Sequence, residues 1–281
     1  MYGYSNARVK AMESFLLEDR QMDEIMKAKD TGAIIALLYQ MDYRQDLEEF
    51  GGTSIKEELI DFALSKNLAR RLGKLVDISP TTDRKLMRSI VSKWDLSNIK
   101  LAIEAKGRKA SYESISKYVV DEGRYNRQII KEAMSEESVE ALISKLMINS
   151  PYTAILRSAA DEYKKRKRTV DAVNAIDIGY YSVLGSTVSK LRTVHPQSSR
   201  MLKISIDVRN LMLLIKAKRV SMKFTEIEPL IAEHGTIAKE ELSKMYEGSK
   251  DLESFVESIK IAYADICIMK YGVRKGKSRS P

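Results

Sequence analysis

Two pairs of polar residues recur with the same spacing: Asp95 with Asn98, and Asp207 with Asn210. A separation of three residues places both side chains of a pair on one face of a helix. Their neighbours are apolar, so we expect these groups near a core or an inner cavity, where an unsatisfied polar group costs about 1–3 kcal/mol. Each pair is therefore either a polar clamp that fixes helix packing, which we favour, or the polar lining of a socket that receives a partner.

Residues that could carry catalysis or hold a metal form no recognisable pattern. The two histidines, His195 and His234, lie far apart and lack metal-ligand spacing. Cys267 has no histidine near it in sequence, and no Ser-His-Asp arrangement is implied. Gly276-Lys277-Ser278 resembles the end of a phosphate-binding loop, but Tyr271 stands where that loop needs its first glycine. We predict no catalytic residue, no metal site and no cofactor, and a protein that is not an enzyme.

The positive charge is concentrated at the end of the chain. Lys and Arg number 48 against 39 Asp and Glu, a net charge of +9. Residues 270–281 form a basic tail without an acid, in which the candidate contact residues are Arg274, Lys275, Lys277 and Arg279. Such a tail can contact phosphate in nucleic acid or in anionic lipid. A solvated tail is the simpler interpretation, because only Tyr271 interleaves with the cations. A second basic run covers residues 164–168.

The composition and the hydrophobic pattern predict an all-α protein. Of 281 residues 44% are hydrophobic, which excludes disorder, and the apolar stretch 32–41 is too short to span a bilayer. No signal peptide is recognisable, and one cysteine indicates a reducing compartment. Apolar residues recur every three or four positions, as in Met87, Ile90, Val91 and Trp94. Since no Gly/Ser linker divides the chain, we expect one helical domain over residues 1–269.

The chain also aligns with itself at an offset of 112 residues without a gap. Over positions 63–134 there are 14 identities, whereas chance would give about four or five. They include both acid-x-x-amide pairs, the lysines Lys106 and Lys218, and the glycines Gly123 and Gly235. We infer a duplicated helical unit, with copies at about 57–145 and 169–260 and a fainter third copy.

Three motifs then carry a resemblance to a known family. Residues 2–9, the two stretches 94–106 and 206–218, and the acidic double-tyrosine stretch 175–181 resemble the C subunit of archaeal and vacuolar-type (A/V-type) rotary ATPases, the family that includes the d subunit of the vacuolar ATPase. The resemblance implies an all-helical funnel built from pseudo-repeats. The family runs longer, so here we expect two complete repeats and a truncated third.

The resemblance also implies a function without chemistry. Such subunits are central-stalk parts that lie between the membrane rotor ring and the central axle subunits. They transmit torque for proton or sodium transport linked to ATP synthesis or hydrolysis. We therefore expect a peripheral membrane protein at the cytoplasmic face of the cell membrane. Candidate partner-binding residues are Arg8 and the two polar pairs, Asp95 with Asn98 and Asp207 with Asn210.

An alternative rests on the positive charge alone. A helical-repeat scaffold or nucleic-acid-binding protein could use the basic tail, and its binding would then fall steeply with salt. We do not favour a nucleic-acid partner, because most of the body is nearly neutral once the tail is set aside.

Overall fold

The computed structural model describes residues 3–49, 56–121, 123–191 and 196–271. Every regular element in these ranges is a helix, which confirms the predicted all-α class. The chain divides into two compact units, Met1–Ile176 and Asp177–Pro281, and the division falls inside a helix. The predicted single domain over residues 1–269 stays a prediction.

The first unit contains ten helices within the described ranges and the beginning of an eleventh. They are α1 Gly3–Glu13, α2 Asp19–Met26, α3 Thr31–Tyr39, α4 Arg44–Glu49, α5 Lys56–Ile78, α6 Thr81–Gly107, α7 Tyr112–Ile115, α8 Arg127–Met134, α9 Val139–Met147, α10 Thr153–Arg166 and α11 Thr169–Leu191. A 3-10 turn, Ser116–Tyr118, follows α7.

The second unit begins within α11 and continues through four more helices. They are α12 Pro196–Arg219, α13 Phe224–Ile227, α14 Lys239–Gly248 and α15 Leu252–Tyr271, with a 3-10 turn at Glu228–Leu230. In the part of the chain that the structure describes, no helix has the length and apolar character required to cross a bilayer.

Local sequence sets several helix boundaries. Asn126 begins α8 by accepting a hydrogen bond from the Ile129 amide at 3.1 Å, and Ser138 begins α9 by accepting from the Ala141 amide at 3.1 Å. Such caps stabilise a helix by about 1 kcal/mol each. Pro151 lies in the break between α9 and α10, since the residue before a proline is disfavoured in the helical conformation.

Each unit is held by apolar side chains that its helices bury. In the first unit, α6 packs against α8 and α9 and buries Ile99 and Ile103 completely. In the second unit, α12 packs against α15, and Leu214 and Phe255 are fully buried there. Burying a side chain of this size contributes about 1.5–3 kcal/mol, so these faces fix which side of α6 and α12 points inward.

Candidate functional site

The first polar pair lies on the buried face of α6. Asn98 is 1% exposed, and its side chain pairs with both backbone groups of Val120: Nδ2 donates to the carbonyl at 2.6 Å and Oδ1 accepts from the amide at 3.0 Å. Nδ2 also donates to the carbonyl of Tyr125 at 2.8 Å. One amide side chain therefore holds the connection between α7 and α8 against the middle of α6.

Asp95 holds the same connection one helical turn earlier. Its Oδ1 accepts a hydrogen bond from the Tyr125 amide at 2.9 Å, and its Oδ2 accepts one from the Tyr152 hydroxyl at 2.7 Å. The Tyr125 hydroxyl in turn donates to the Leu146 carbonyl at 2.8 Å and lies 2.6 Å from Ser150 Oγ. The carboxylate thus links α6 to residues at both ends of the α8–α9 hairpin.

The ionisation of this network is shifted by burial. Removal from water raises the pKa of the Asp95 carboxyl, and the hydrogen bonds from the Tyr125 amide and the Tyr152 hydroxyl only partly offset that effect. Burial and the neighbouring Asp95 carboxylate together raise the pKa of the Tyr152 hydroxyl, which stays a donor. The Asp95 carboxyl is thus held inside the helical body by hydrogen bonds from residues of its own unit.

A glycine makes room for each carboxylate. Gly123 has a φ of +112°, which side-chain-bearing residues rarely adopt, and a Cβ atom there would lie 2.5 Å from Asp95 Oδ1. At Gly235 a Cβ atom would lie 2.2 Å from Asp207 Oδ1. The connection can approach the acid of each pair only because these two residues lack side chains.

The second polar pair repeats these contacts on α12, and both of its residues are fully buried. Asn210 pairs with the carbonyl and amide of Ala232 at 2.8 and 2.9 Å, and Asp207 Oδ1 accepts from the amides of Thr236 and Ile237 at 2.8 and 3.2 Å. Ala232 and Ile237 stand 112 residues after Val120 and Tyr125. The offset of the predicted duplication therefore recurs in the hydrogen bonds.

A lysine eight residues after the amide of each pair, Lys106 on α6 and Lys218 on α12, completes the set. Lys106 Nζ donates to the carbonyl of Met134 at 2.9 Å, at the end of α8. Lys218 Nζ donates to the carbonyls of Tyr246 at 2.7 Å and Ser249 at 2.6 Å, at the end of α14. A cation at the carboxyl end of a helix satisfies free carbonyls and complements the helix dipole. We refer to each acid, amide and lysine together as a clamp.

Arg209 adds a contact that the sequence did not reveal. Its guanidinium donates to the Leu230 carbonyl and to Asn210 Oδ1, and lies 5.3 Å from the ring centre of Tyr181. Burial lowers the pKa of this guanidinium. Ser97 stands at the corresponding position of the first unit and cannot form this cation–aromatic contact.

The predicted site residues thus fall into three groups. Asp95, Asn98, Asp207 and Asn210 are buried and bonded within their own units, as the clamp interpretation describes, and direct partner contact by them stays a prediction. Arg8 is exposed on α1 and is not part of either clamp. The tail residues Arg274, Lys275, Lys277 and Arg279 lie outside the described residues.

Sequence reasoning missed the partners of the acids. Tyr125 and Tyr152 are 30 and 57 residues from Asp95 in the chain, and no local pattern joins them. The identity of Gly123 and Gly235 in the self-alignment was the available signal, because a glycine kept at the same offset as an acid indicates close approach.

Four of the five cations in the basic run 164–168 form ion pairs with acids of the first unit. Lys165 pairs with Glu162 at 2.7 Å, and Lys167 pairs with Glu140 at 2.5 Å. Arg168 pairs with Asp171 at 2.7 Å. Because these pairs involve only three acids, Glu140, Glu162 and Asp171, they reduce the positive charge of the run without cancelling it.

No metal centre is formed by the residues that the structure describes, since none of their His, Cys, Asp and Glu side chains gather in groups of three or more. The buried polar groups instead bond to backbone and tyrosine hydroxyls of the same unit. The arrangement is suited to rigidity.

Comparison with known proteins gives a consistent result. Residues 5–268 match the family described as ATP synthase (C/AC39) subunit. The chain is 29% identical, over 83% of its length, to the C subunit of the A-type ATP synthase of Methanococcoides burtonii, of which it covers 64%. It is 26% identical, over 96% of its length, to the C subunit of Thermococcus onnurineus, and it covers 69% of that protein. It is also 26% identical, over 92% of its length, to the C subunit of Methanosphaera stadtmanae, and it covers 65% of that protein. The chain thus spans about two thirds of the length of these curated relatives.

Proposed function

This chain belongs to the ATP synthase (C/AC39) subunit family, and we propose that it serves as a central-stalk subunit of an A/V-type ATP synthase or ATPase. In this role it couples the membrane rotor ring to the central axle and transmits torque, with no catalytic site of its own. The family match over nearly the whole chain is the observation that carries the proposal. The relatives are named as the C subunit of the A-type ATP synthase, and that assignment is extended here to this chain.

The clamps support a mechanical role. A part that transmits torque must resist bending, and close-packed helices supply low compressibility. α6 and α12 have 27 and 24 residues, so each extends about 36–40 Å at 1.5 Å per residue. Each is tied near its middle to a connecting segment by an acid and an amide, and near its end to a shorter helix by a lysine. These bonds limit sliding of the packed elements against the long helix.

The proposed location follows from the same assignment. The complex is membrane-associated, and we propose that this subunit lies at its cytoplasmic face as a peripheral component, in contact with ring and axle subunits. The tail residues 274–279 are candidates for contact with the membrane surface, worth up to about 1 kcal/mol per cation near anionic lipid.

Affinity purification tests the assignment. The tagged chain is recovered from host membranes in mild detergent at moderate salt, and the co-purifying proteins are identified by mass spectrometry. We expect ring and axle subunits together with the nucleotide-binding headpiece. Recovery of nucleic acid or of unrelated soluble proteins instead would show that the family gives the fold but not this role.

Arg8 offers a test of the predicted partner contact. It is exposed, so Arg8→Gln is expected to leave the thermal unfolding temperature unchanged while reducing the yield of axle or ring subunits severalfold. Arg20→Gln, on the neighbouring α2, is the control, since this exposed arginine pairs only with Glu24 of its own helix among the described residues. Equal yields from both variants would remove Arg8 from the partner-binding set.

A further inference from the structure

A basic cavity of about 540 Å³ opens in the second unit between the end of α12 and the start of α15. Its lining includes three cations, Lys218, Arg219 and Lys250, and one acid, Asp251. The hydroxyl-bearing Ser221 also lines it. The function proposed above makes no use of this cavity.

The three cations of the lining outnumber its single acid, Asp251, so the cavity carries a net positive charge. Among the residues that the structure describes, neither Arg219 nor Lys250 takes part in an ion pair. Lys218 forms the base of the cavity, where its ammonium is held by two carbonyls of the α14 end. Asp251 is occupied as a helix cap, with its Oδ1 accepting from the amide of Ser254 at 2.8 Å and from its hydroxyl at 2.7 Å.

The corresponding place in the first unit is filled by polypeptide. Gly107, which aligns with Arg219, packs so closely on Thr169 that a Cβ atom would lie 2.3 Å from its methyl carbon. Beside it, Lys167 pairs with Glu140, which aligns with Leu252. In the first unit Gly107 leaves room for the chain to pass over the end of α6. In the second unit Arg219 occupies the aligned position, and the cavity there is open.

A difference in helix breaks explains why only one place is filled. In the first unit Pro151 separates α9 from α10, and α10 packs back on α9 before the chain reaches Thr169. In the second unit α15 runs unbroken through Tyr263, the residue that aligns with Pro151. The chain therefore does not fold back over the cavity within the described residues.

From the cavity, its charges and its open state we propose that it binds a phosphate group. Arg219, Ser221 and Lys250 are solvent-exposed at this open cavity, so a charged group in solution can reach them. Arg219, at the end of α12, supplies a planar fork of N–H donors, which suits phosphate oxygens, and Lys250, just before α15, supplies a mobile point charge. The amides of the first turn of α15 are already capped by Asp251, so the side chains provide the recognition.

Calorimetric titration of the full chain with pyrophosphate tests this site. We expect saturable binding that weakens as salt rises from about 50 to 500 mM, because the charges are exposed and screened. Arg219→Gln and Lys250→Ser are each expected to weaken affinity about tenfold, the loss of one charge-assisted contact. Lys250→Ser installs the residue found at the aligned position Ser138. Lys244→Gln, an exposed lysine of α14 outside the cavity, is the control and is expected to change nothing.

A second arm identifies the source of the phosphate. Binding to phosphatidylglycerol vesicles and to phosphatidylcholine vesicles is compared by flotation. If binding to the phosphatidylglycerol vesicles depends on Arg219 and is displaced by pyrophosphate, the ligand is a lipid headgroup. Binding to pyrophosphate without Arg219-dependent flotation reports a free phosphate compound. Absence of saturable binding in both arms, or binding equal in Arg219→Gln and Lys244→Gln, would overturn the proposal. Tighter Arg219-dependent binding of a glutamate-rich peptide than of either phosphate probe would also overturn it in favour of a protein partner.

Discussion

At the scale of single residues, an asparagine side chain provides the backbone hydrogen bonds that a neighbouring strand would provide in a sheet. Asn98 offers one donor and one acceptor at the spacing of a peptide group, so it satisfies both polar groups of Val120 where no helix or sheet can. Asn210 does the same for Ala232. A buried backbone segment that is neither helix nor strand needs such a partner, because its unpaired groups cannot reach water.

The first prediction concerns this amide. Asn98→Ala removes three hydrogen bonds and leaves the amide and carbonyl of Val120 and the carbonyl of Tyr125 without their partner, so we expect a loss of about 2–4 kcal/mol in unfolding free energy. Chemical denaturation monitored by circular dichroism measures it. Ser97→Ala, an exposed neighbour on α6, is expected to change stability by less than about 0.5 kcal/mol. Equal effects of the two substitutions would contradict the clamp.

The second prediction concerns pH. Burial raises the folded-state pKa of Asp95 above its unfolded value, so the folded protein binds this proton more tightly. The stability contributed by this group is fully present below the unfolded pKa and is lost as pH rises through the raised folded pKa. Asp95→Asn does not titrate. The stability of the original protein relative to Asp95→Asn should therefore decrease as pH rises from the unfolded-state pKa to the folded-state pKa of Asp95. A pH-independent difference in denaturation midpoints would refute the assigned direction.

At the scale of elements, each long helix is fastened to a connecting segment and a short helix by an acid, an amide and a lysine at fixed positions. Their backbone partners Val120 and Ala232, and Met134 and Tyr246, are offset by 112 residues, as are the left-handed residues Lys109 and Ser221 just beyond the two helices. The contact of the Tyr152 hydroxyl with Asp95 has no counterpart, because the aligned residue is Ala264. We propose that residues from about 57 to 145 and from about 169 to 260 arose as copies of one helical module, which these paired contacts support. The copies diverge where Pro151 breaks one helix and Tyr263 allows another to continue.

The third prediction tests the approach of the connecting segment to α6. Gly123→Ala places a Cβ atom against Asp95 and forces a residue with a side chain into a positive φ, so we expect about 2–3 kcal/mol of destabilisation. Gly248→Ala is the matched control, since nothing lies within 4 Å of its Cβ position. It ends a helix and is expected to be neutral or slightly stabilising. Thermal unfolding distinguishes the two. A Gly123→Ala protein as stable as the control would mean that the segment can move away from Asp95 at little cost.

At the scale of the whole molecule, two compact units each carry one clamp, and the family match extends across both. A subunit that only transmits force needs every helix fixed and needs no reactive group. The ion pairs of the run 164–168 involve exposed basic side chains, so they add little to the stability of the first unit. The proposed rotor role thus depends on stiffness in both units.

The fourth prediction joins the clamps to assembly. Asp95→Ala and Asp207→Ala affect different partners in different units, so the double variant should lose more stability than either single one, close to the sum of their effects. We expect it also to recover fewer ring and axle subunits in the membrane purification. The control is Ser97→Ala with Ser205→Ala, which alters exposed positions on the same two helices. A double variant with unchanged stability and unchanged recovery would remove the clamps from the mechanism.

The sequence by itself determined the properties that depend on near neighbours in the chain. Hydrophobic spacing predicted the helical class, and the self-alignment found the acid, amide and lysine of each clamp. The tertiary structure decided what those residues contact. Tyr152 reaches Asp95 across 57 residues, and Arg219 faces an open cavity while its aligned Gly107 is covered. Such pairings depend on where a distant helix turns, and periodicity within one helix carries no information about that.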